Sequence, residues 1–117
     1  MVTAYTHRCA FCGIRMRTID GHTVVDAAHI IPWSVSHNDD PRNGLALCKL
    51  CHWSFDEGLL GVSQRYQVIT SKALTAHHNI AGHLLTLHKR PLVAPVDGAL
   101  WPDRDALRWH REQCLRR

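Results

Sequence analysis

A chain of 117 residues, 45% hydrophobic and 21% charged, has the composition of one globular domain with a modest core. Fourteen Lys and Arg against ten Asp and Glu leave a formal charge of +4, which suits a polyanionic partner without requiring one. No apolar run approaches the ~20 residues of a helical membrane span, so no membrane partner is expected. Met1 to Arg8 lacks the apolar core of a signal peptide, and the expected setting is the cytoplasm.

Taken in chain order, the first signal is Cys9-x-x-Cys12 followed at once by Gly13, whose freedom allows a sharp turn that aims amides back at the sulfurs. Ile14 to Ile19 predicts a short strand, Asp20-Gly21 a two-residue turn, and Thr23 to Ile30 the partner strand. Thr23, Val24, Val25, Ile30 and Ile31 supply β-branched character. Pro32 ends that strand because it brings no amide to a ladder. Trp33 to Arg42 reads as a polar loop turned by Asn38-Asp39-Asp40-Pro41. Asn43-Gly44 then bends into a brief apolar segment, Leu45-Ala46-Leu47. A second pair, Cys48-x-x-Cys51, follows, and Cys51 to Glu57 reads as a short helix stopped by Gly58.

Leu59 to Ile69 predicts another hairpin around Ser63-Gln64. Ser71 to Pro95 has no clear period: Leu74, Leu84, Leu85 and Leu87 need burial, yet Gly82 and Pro91 interrupt any long helix. Asp103 to Leu115 predicts a closing helix capped by Asp103, with Leu107, Arg111, Cys114 and Leu115 on one face. Trp33, Trp53, Trp101 and Trp109 are expected in the core, and His77, His78, His83 and His88 form no pattern. The class expected is α+β, one domain over residues 1–117, with a core of about residues 8–60 and a C-terminal extension over 61–117.

Five Cys and ten His are many for this length, and both residue types bind borderline metals. The cysteine pattern is C-x2-C-x35-C-x2-C. Two residues between cysteines let both thiolates reach one tetrahedral ion at ~2.3 Å, and two such turns complete a closed shell for a structural Zn2+. A redox CxxC is the competing reading, and in a reducing compartment two pairs together point to metal first. Such an ion supplies folding free energy that a small core lacks. Cys114 is left over and reads as a buried helix residue.

Interleaved with those pairs lie His29, Asn43 and His52, spaced H-x13-N-x8-H. On these residues, Arg8 to Leu60 resembles the HNH nuclease family and its ββα-metal core, a β-hairpin plus a helix. The matching segments are RCAFCG, DAAHIIPW and NGLALCKLCHWSFDEGLL, which are similar to the restriction-type branch with CxxC knuckles. LRWHREQ near the end looks like that branch's closing segment.

The resemblance implies DNA phosphodiester hydrolysis with Mg2+ or another divalent ion, leaving 5′-phosphate and 3′-hydroxyl ends. His29 would be the general base, since a neutral imidazole takes a proton near pH 7. His52 would ligate the catalytic ion and Asn43 would position the loop and His29. One departure stands out: many family members carry an acidic or His ligand just before the base, where this chain has Ala28. Asp26, two residues earlier, would serve directly, through a water, or not at all. Asp56, four residues after His52 on one helical face, is the other candidate ligand.

A lone strand His is usually a structural group, and His52 has an alternative as a residue of the knuckle. Two other functions remain beside the nuclease: a zinc-stabilised nucleic-acid-binding module without catalysis, which Ala28 favours, and a redox protein, which requires reactive cysteines. Sequence reading of DNA is expected from a fused or associated recognition domain, and double-strand cutting from a homodimer or two sequential nicks.

Overall fold

The computed structural model describes residues 2–117. Strand β1 (Val25–His29) pairs antiparallel with β2 (Gly44–Cys48), with Val25 opposite Cys48 and His29 opposite Gly44. This register puts His29 at one end of the ladder and a cysteine at the other. All five residues of β2 are buried, which places this strand inside the core. The connection between the strands holds a one-turn helix, α1 (Trp33–Ser36), and a 3-10 turn over Pro41–Asn43. The Asp40 carboxylate opens that turn by accepting the Arg42 amide at 2.8 Å.

Helix α2 (Lys49–Asp56) follows β2 directly. Cys51, Ser54 and Phe55 are its buried residues, spaced three and four apart. Eight residues are too few for a stable isolated helix, so this stripe holds it. Phe55 meets Phe11 edge-on at 5.9 Å and stacks flat on His110 at 3.8 Å. His110 belongs to α3 (Arg104–Gln113), so Phe55 joins the N-terminal cysteine turn to the C-terminal helix. A second antiparallel pair, β3 (Leu60–Val62) and β4 (Val68–Thr70), forms the hairpin expected around Ser63-Gln64. It is tied to α3 by the Arg111 guanidinium, which donates to the Val62 carbonyl at 2.7 Å. The resulting α+β fold is a β-hairpin and helix extended by a second hairpin and a closing helix.

Three expectations need correction. Ile14 to Ile19 is not a strand; its arm meets the other across the turn through one bridge, Arg17 opposite Thr23. Ile14, Met16 and Ile19 are 40, 59 and 108% exposed, so no layer covers that arm. The buried segment Gly44–Cys48 becomes the partner of β1 instead, because pairing there buries every side chain. Trp33 and Trp53 are 50 and 58% exposed, not core residues. Cys114 is half-buried at the C-cap of α3, and Ala106, Leu107 and His110 are the residues that this helix buries.

Ser71 to Pro95 folds as irregular chain with two 3-10 segments, Lys72–Thr75 and Gly82–Leu87, which bury Leu74, Leu84 and Leu87. Asp103 caps α3 as expected, its carboxylate accepting the Asp105 amide at 3.4 Å.

Gly58 ends α2 at φ +72, and a Cβ there would lie 2.1 Å from the Cys114 carbonyl oxygen. Gly58→Ala should therefore cost about 3 kcal/mol in urea unfolding, combining left-handed strain with a backbone clash. An unchanged midpoint would contradict this packing.

His110 is buried; its Nε2–H donates to the Phe55 carbonyl at 2.9 Å, and Nδ1 has no partner. Burial pushes its pKa below the usual 6.5. The unfolded chain thus takes up a proton near pH 6.5 that the folded chain resists, so stability falls as pH drops through that value. Relative to His110→Phe, the native protein should lose stability between about pH 7.5 and 5.5 in matched urea titrations. Parallel curves would refute this.

Candidate active site

The site is assembled from the ends of β1 and α2 and from the loop between the two strands. Among the described residues, Cys9, Cys12, Cys48 and Cys51 are the group of metal-ligating side chains whose donor atoms lie together, all within 4.8 Å of one another. Gly13, at φ +79, turns the first pair so that the Cys12 amide points at the Cys9 sulfur, 3.5 Å away. The Cys12 and Cys48 sulfurs are 3.8 Å apart. Four sulfurs this close cannot all ionise unaided. The neighbouring sulfurs of Cys48 and Cys51 hold the Cys9 thiol far below the usual range, while burial pushes Cys12 up and the neighbouring Cys48, then Cys9, pushes Cys51 up. A divalent cation would remove the conflict, and the four cysteines are positioned to hold one.

His29, His52 and Asp56 line one shallow groove of about 400 Å³, together with Ala27, Pro32 and Trp33. His29 enters it from the end of β1 and is half-buried. Its Nε2 lies 2.7 Å from the Asp39 carboxylate. His52 stands on α2 directly after Cys51, which anchors the helix beneath it. Its ring lies between two carboxylates, Nδ1 at 3.3 Å from Asp26 and Nε2 at 3.2 Å from Asp56. A single ion reaches only one ring nitrogen, so Asp26 and Asp56 do not act alike toward His52.

The two carboxylates also differ electrostatically. Lys49 donates to Asp26 and, with His52, holds its carboxyl below the usual range. Asp56 is pushed up, first by burial and then by Glu57. Ala28 is wholly buried and does not face the groove, whereas Ala27 does.

Asn43 is 1% exposed and makes three hydrogen bonds at 3.0 Å. Its carbonyl oxygen accepts the Ile31 amide, and its amide donates to the carbonyls of Ile31 and Asn38. It therefore clamps both ends of the segment that leaves His29. Reading the sequence missed Asp39, Lys49 and the place of Trp33 beside the groove. The first two touch their partners across 10 and 23 residues, beyond any helix or strand period.

Asn43→Ala should cost about 2 kcal/mol by leaving buried backbone groups unpaired. It should also speed amide exchange at Ile31, and unchanged exchange there would show that the clamp is not what holds this segment.

Residues 9–63 match the profile of an HNH endonuclease family. No curated protein matches the chain. Among solved structures it is similar to a "Modification dependent TagI restriction endonuclease", with 28% identity and a TM-score of 0.68 over 96% of this chain. The match covers 35% of that enzyme, so this chain spans about a third of its length. Residues 9–63 are thus similar to an HNH endonuclease family, and the chain as a whole shares its fold with part of a restriction endonuclease.

Proposed function

We propose that this chain is the cleaving unit of a restriction-type system and hydrolyses DNA phosphodiester bonds. The observation that carries this reading is the convergence of His29, His52 and Asp56 on one groove. His29 takes the role of general base toward a water beside the scissile phosphate. Asn43 keeps the chain around it in place.

Both ring nitrogens of His52 lie near a carboxylate, but only Nδ1 and Asp26 meet with hydrogen-bond geometry, so the proton of neutral His52 is assigned to Nδ1, donated to Asp26. That leaves Nε2, beside Asp56, free to ligate a cation. Asp56 is thus read as the second ligand, and Asp26 with Lys49 as the pair that orients His52. One nitrogen and one carboxylate fit a divalent ion such as Mg2+, which keeps most of its shell for water and phosphate. When bound, that ion neutralises the phosphate and stabilises the departing oxygen. The buried Ala28 is no obstacle to this arrangement.

The four cysteines are read as a structural Zn2+ site. A tetrahedron with ~2.3 Å Zn–S bonds has sulfurs ~3.8 Å apart, and Cys12 and Cys48 stand 3.8 Å apart. The cytoplasm, which keeps such thiols reduced, is the proposed place of action. No helix among the described residues is long and apolar enough to cross a membrane. We read residues 1–117 as one catalytic unit that takes its DNA specificity from a fused or associated recognition domain. Cutting both strands would require a homodimer or two successive nicks.

Purified protein should nick or linearise supercoiled plasmid with Mg2+, Mn2+ or Ni2+, and His29→Ala should be slower by about a hundredfold or more. Asp56→Ala should raise the Mg2+ concentration needed for half-maximal cutting more than Asp26→Ala does. Equal effects would undo the division of roles between the two carboxylates. If neither parent nor His29→Ala cuts with any metal while DNA is retained, the chain is a zinc-stabilised binding module.

A further inference from the structure

We infer that Asp39 is a positioning residue for His29, an inference whose catalytic meaning rests on the nuclease reading above. The observation is direct: the Asp39 carboxylate lies 2.7 Å from Nε2 of His29. Because a carboxylate only accepts, Nε2 carries the ring proton and the lone pair falls on Nδ1. One tautomer is thereby selected, and Nδ1 becomes the nitrogen that takes a proton from water. Asp39 also stands beside the positive charge that forms when it does.

The loop is built to hold this contact. Asp39 sits between two pinned neighbours. The Asn38 carbonyl accepts the Asn43 side-chain amide at 3.0 Å, and the Asn38 side chain accepts the Asp40 amide at 2.9 Å. The Asp40 carboxylate accepts the Arg42 amide at 2.8 Å, and its carbonyl accepts the Asn43 amide at 2.8 Å. Asn43 therefore reaches His29 by two routes, through Ile31 on the strand side and through Asn38 and Asp39 on the loop side. The Asp39 side chain is 75% exposed, so it adds little to stability. Its contribution is orientation of the ring, which a solvated carboxylate in a fixed place can still supply.

The test combines a spectroscopic signature with kinetics on the metal-loaded protein. In 15N-labelled native protein, His29 should show a hydrogen-bonded Nε2–H proton, assigned by its loss in His29→Gln. Asp39→Ala should remove that signal and leave thermal unfolding unchanged. In plasmid cleavage it should lower kcat about tenfold without raising KM, and Asp39→Glu should recover part of the loss. If Asp39 acts only as a negative charge beside DNA, its removal lowers KM and keeps kcat. That split overturns the inference, as does a native protein without the Nε2–H signal. A native protein that shows the signal but cuts no DNA overturns the nuclease reading, and the positioning role with it. Native cutting that is indifferent to Asp39 overturns the positioning role alone.

Discussion

Everything else in this small domain depends on four sulfurs being drawn to one point. Cys9 and Cys12 come from an N-terminal turn, while Cys48 and Cys51 lie where β2 becomes α2. The cluster thus fixes the direction in which α2 leaves the sheet. His52, the next residue after Cys51, inherits its place from that constraint. The Ala10 amide donates to the Ala46 carbonyl at 2.7 Å, so the N-terminal turn is also bonded along β2. β1 takes its register from β2, and His29 lies opposite Gly44 at the end of that ladder. Both histidines of the groove are therefore placed by backbone that the cysteines hold.

A second theme is that each histidine is oriented by a carboxylate brought from elsewhere in the chain. Asp39 faces His29 and Asp26 faces His52. In both cases a carboxylate, which only accepts, favours the tautomer that has its proton on the nitrogen hydrogen-bonded to it. On the proposed reading, His52 Nε2 faces the groove beside Asp56 and His29 Nδ1 is the nitrogen that accepts a proton. Lys49 and Asn43 act a step further out, one on Asp26 and the other on the segments flanking His29. A chain with a modest core can hold such a site because short hydrogen-bonded turns do the positioning.

Much of this was legible in the sequence, for identifiable reasons. Ligand spacing is a local property, so the two CxxC pairs were readable, and their sulfurs do come together. The stop at Gly58, the cap at Asp103 and the hairpin around Ser63-Gln64 are likewise local signals, and each appears where expected. Strand pairing was misread because β-branched character along Thr23 to Ile30 does not say which segment lies opposite. Burial decided that, and Gly44–Cys48 offered far more of it than Ile14 to Ile19. Asp39 and His110 were missed because each acts through a tertiary neighbour, His29 in one case and Phe55 in the other. Trp33 and Trp53 were assigned to the core on residue type alone, which does not register that both lie on exposed helix faces.

The central claim is that a metal held by the four cysteines builds the surface on which His29 and His52 meet. Native mass spectrometry with near-ultraviolet circular dichroism during titration with a zinc chelator tests it most directly. The account predicts one zinc per chain, and loss of the aromatic signal in step with loss of that ion, with no cooperative thermal transition left. A chain that gives up its metal yet keeps its aromatic signal and a cooperative transition would contradict it.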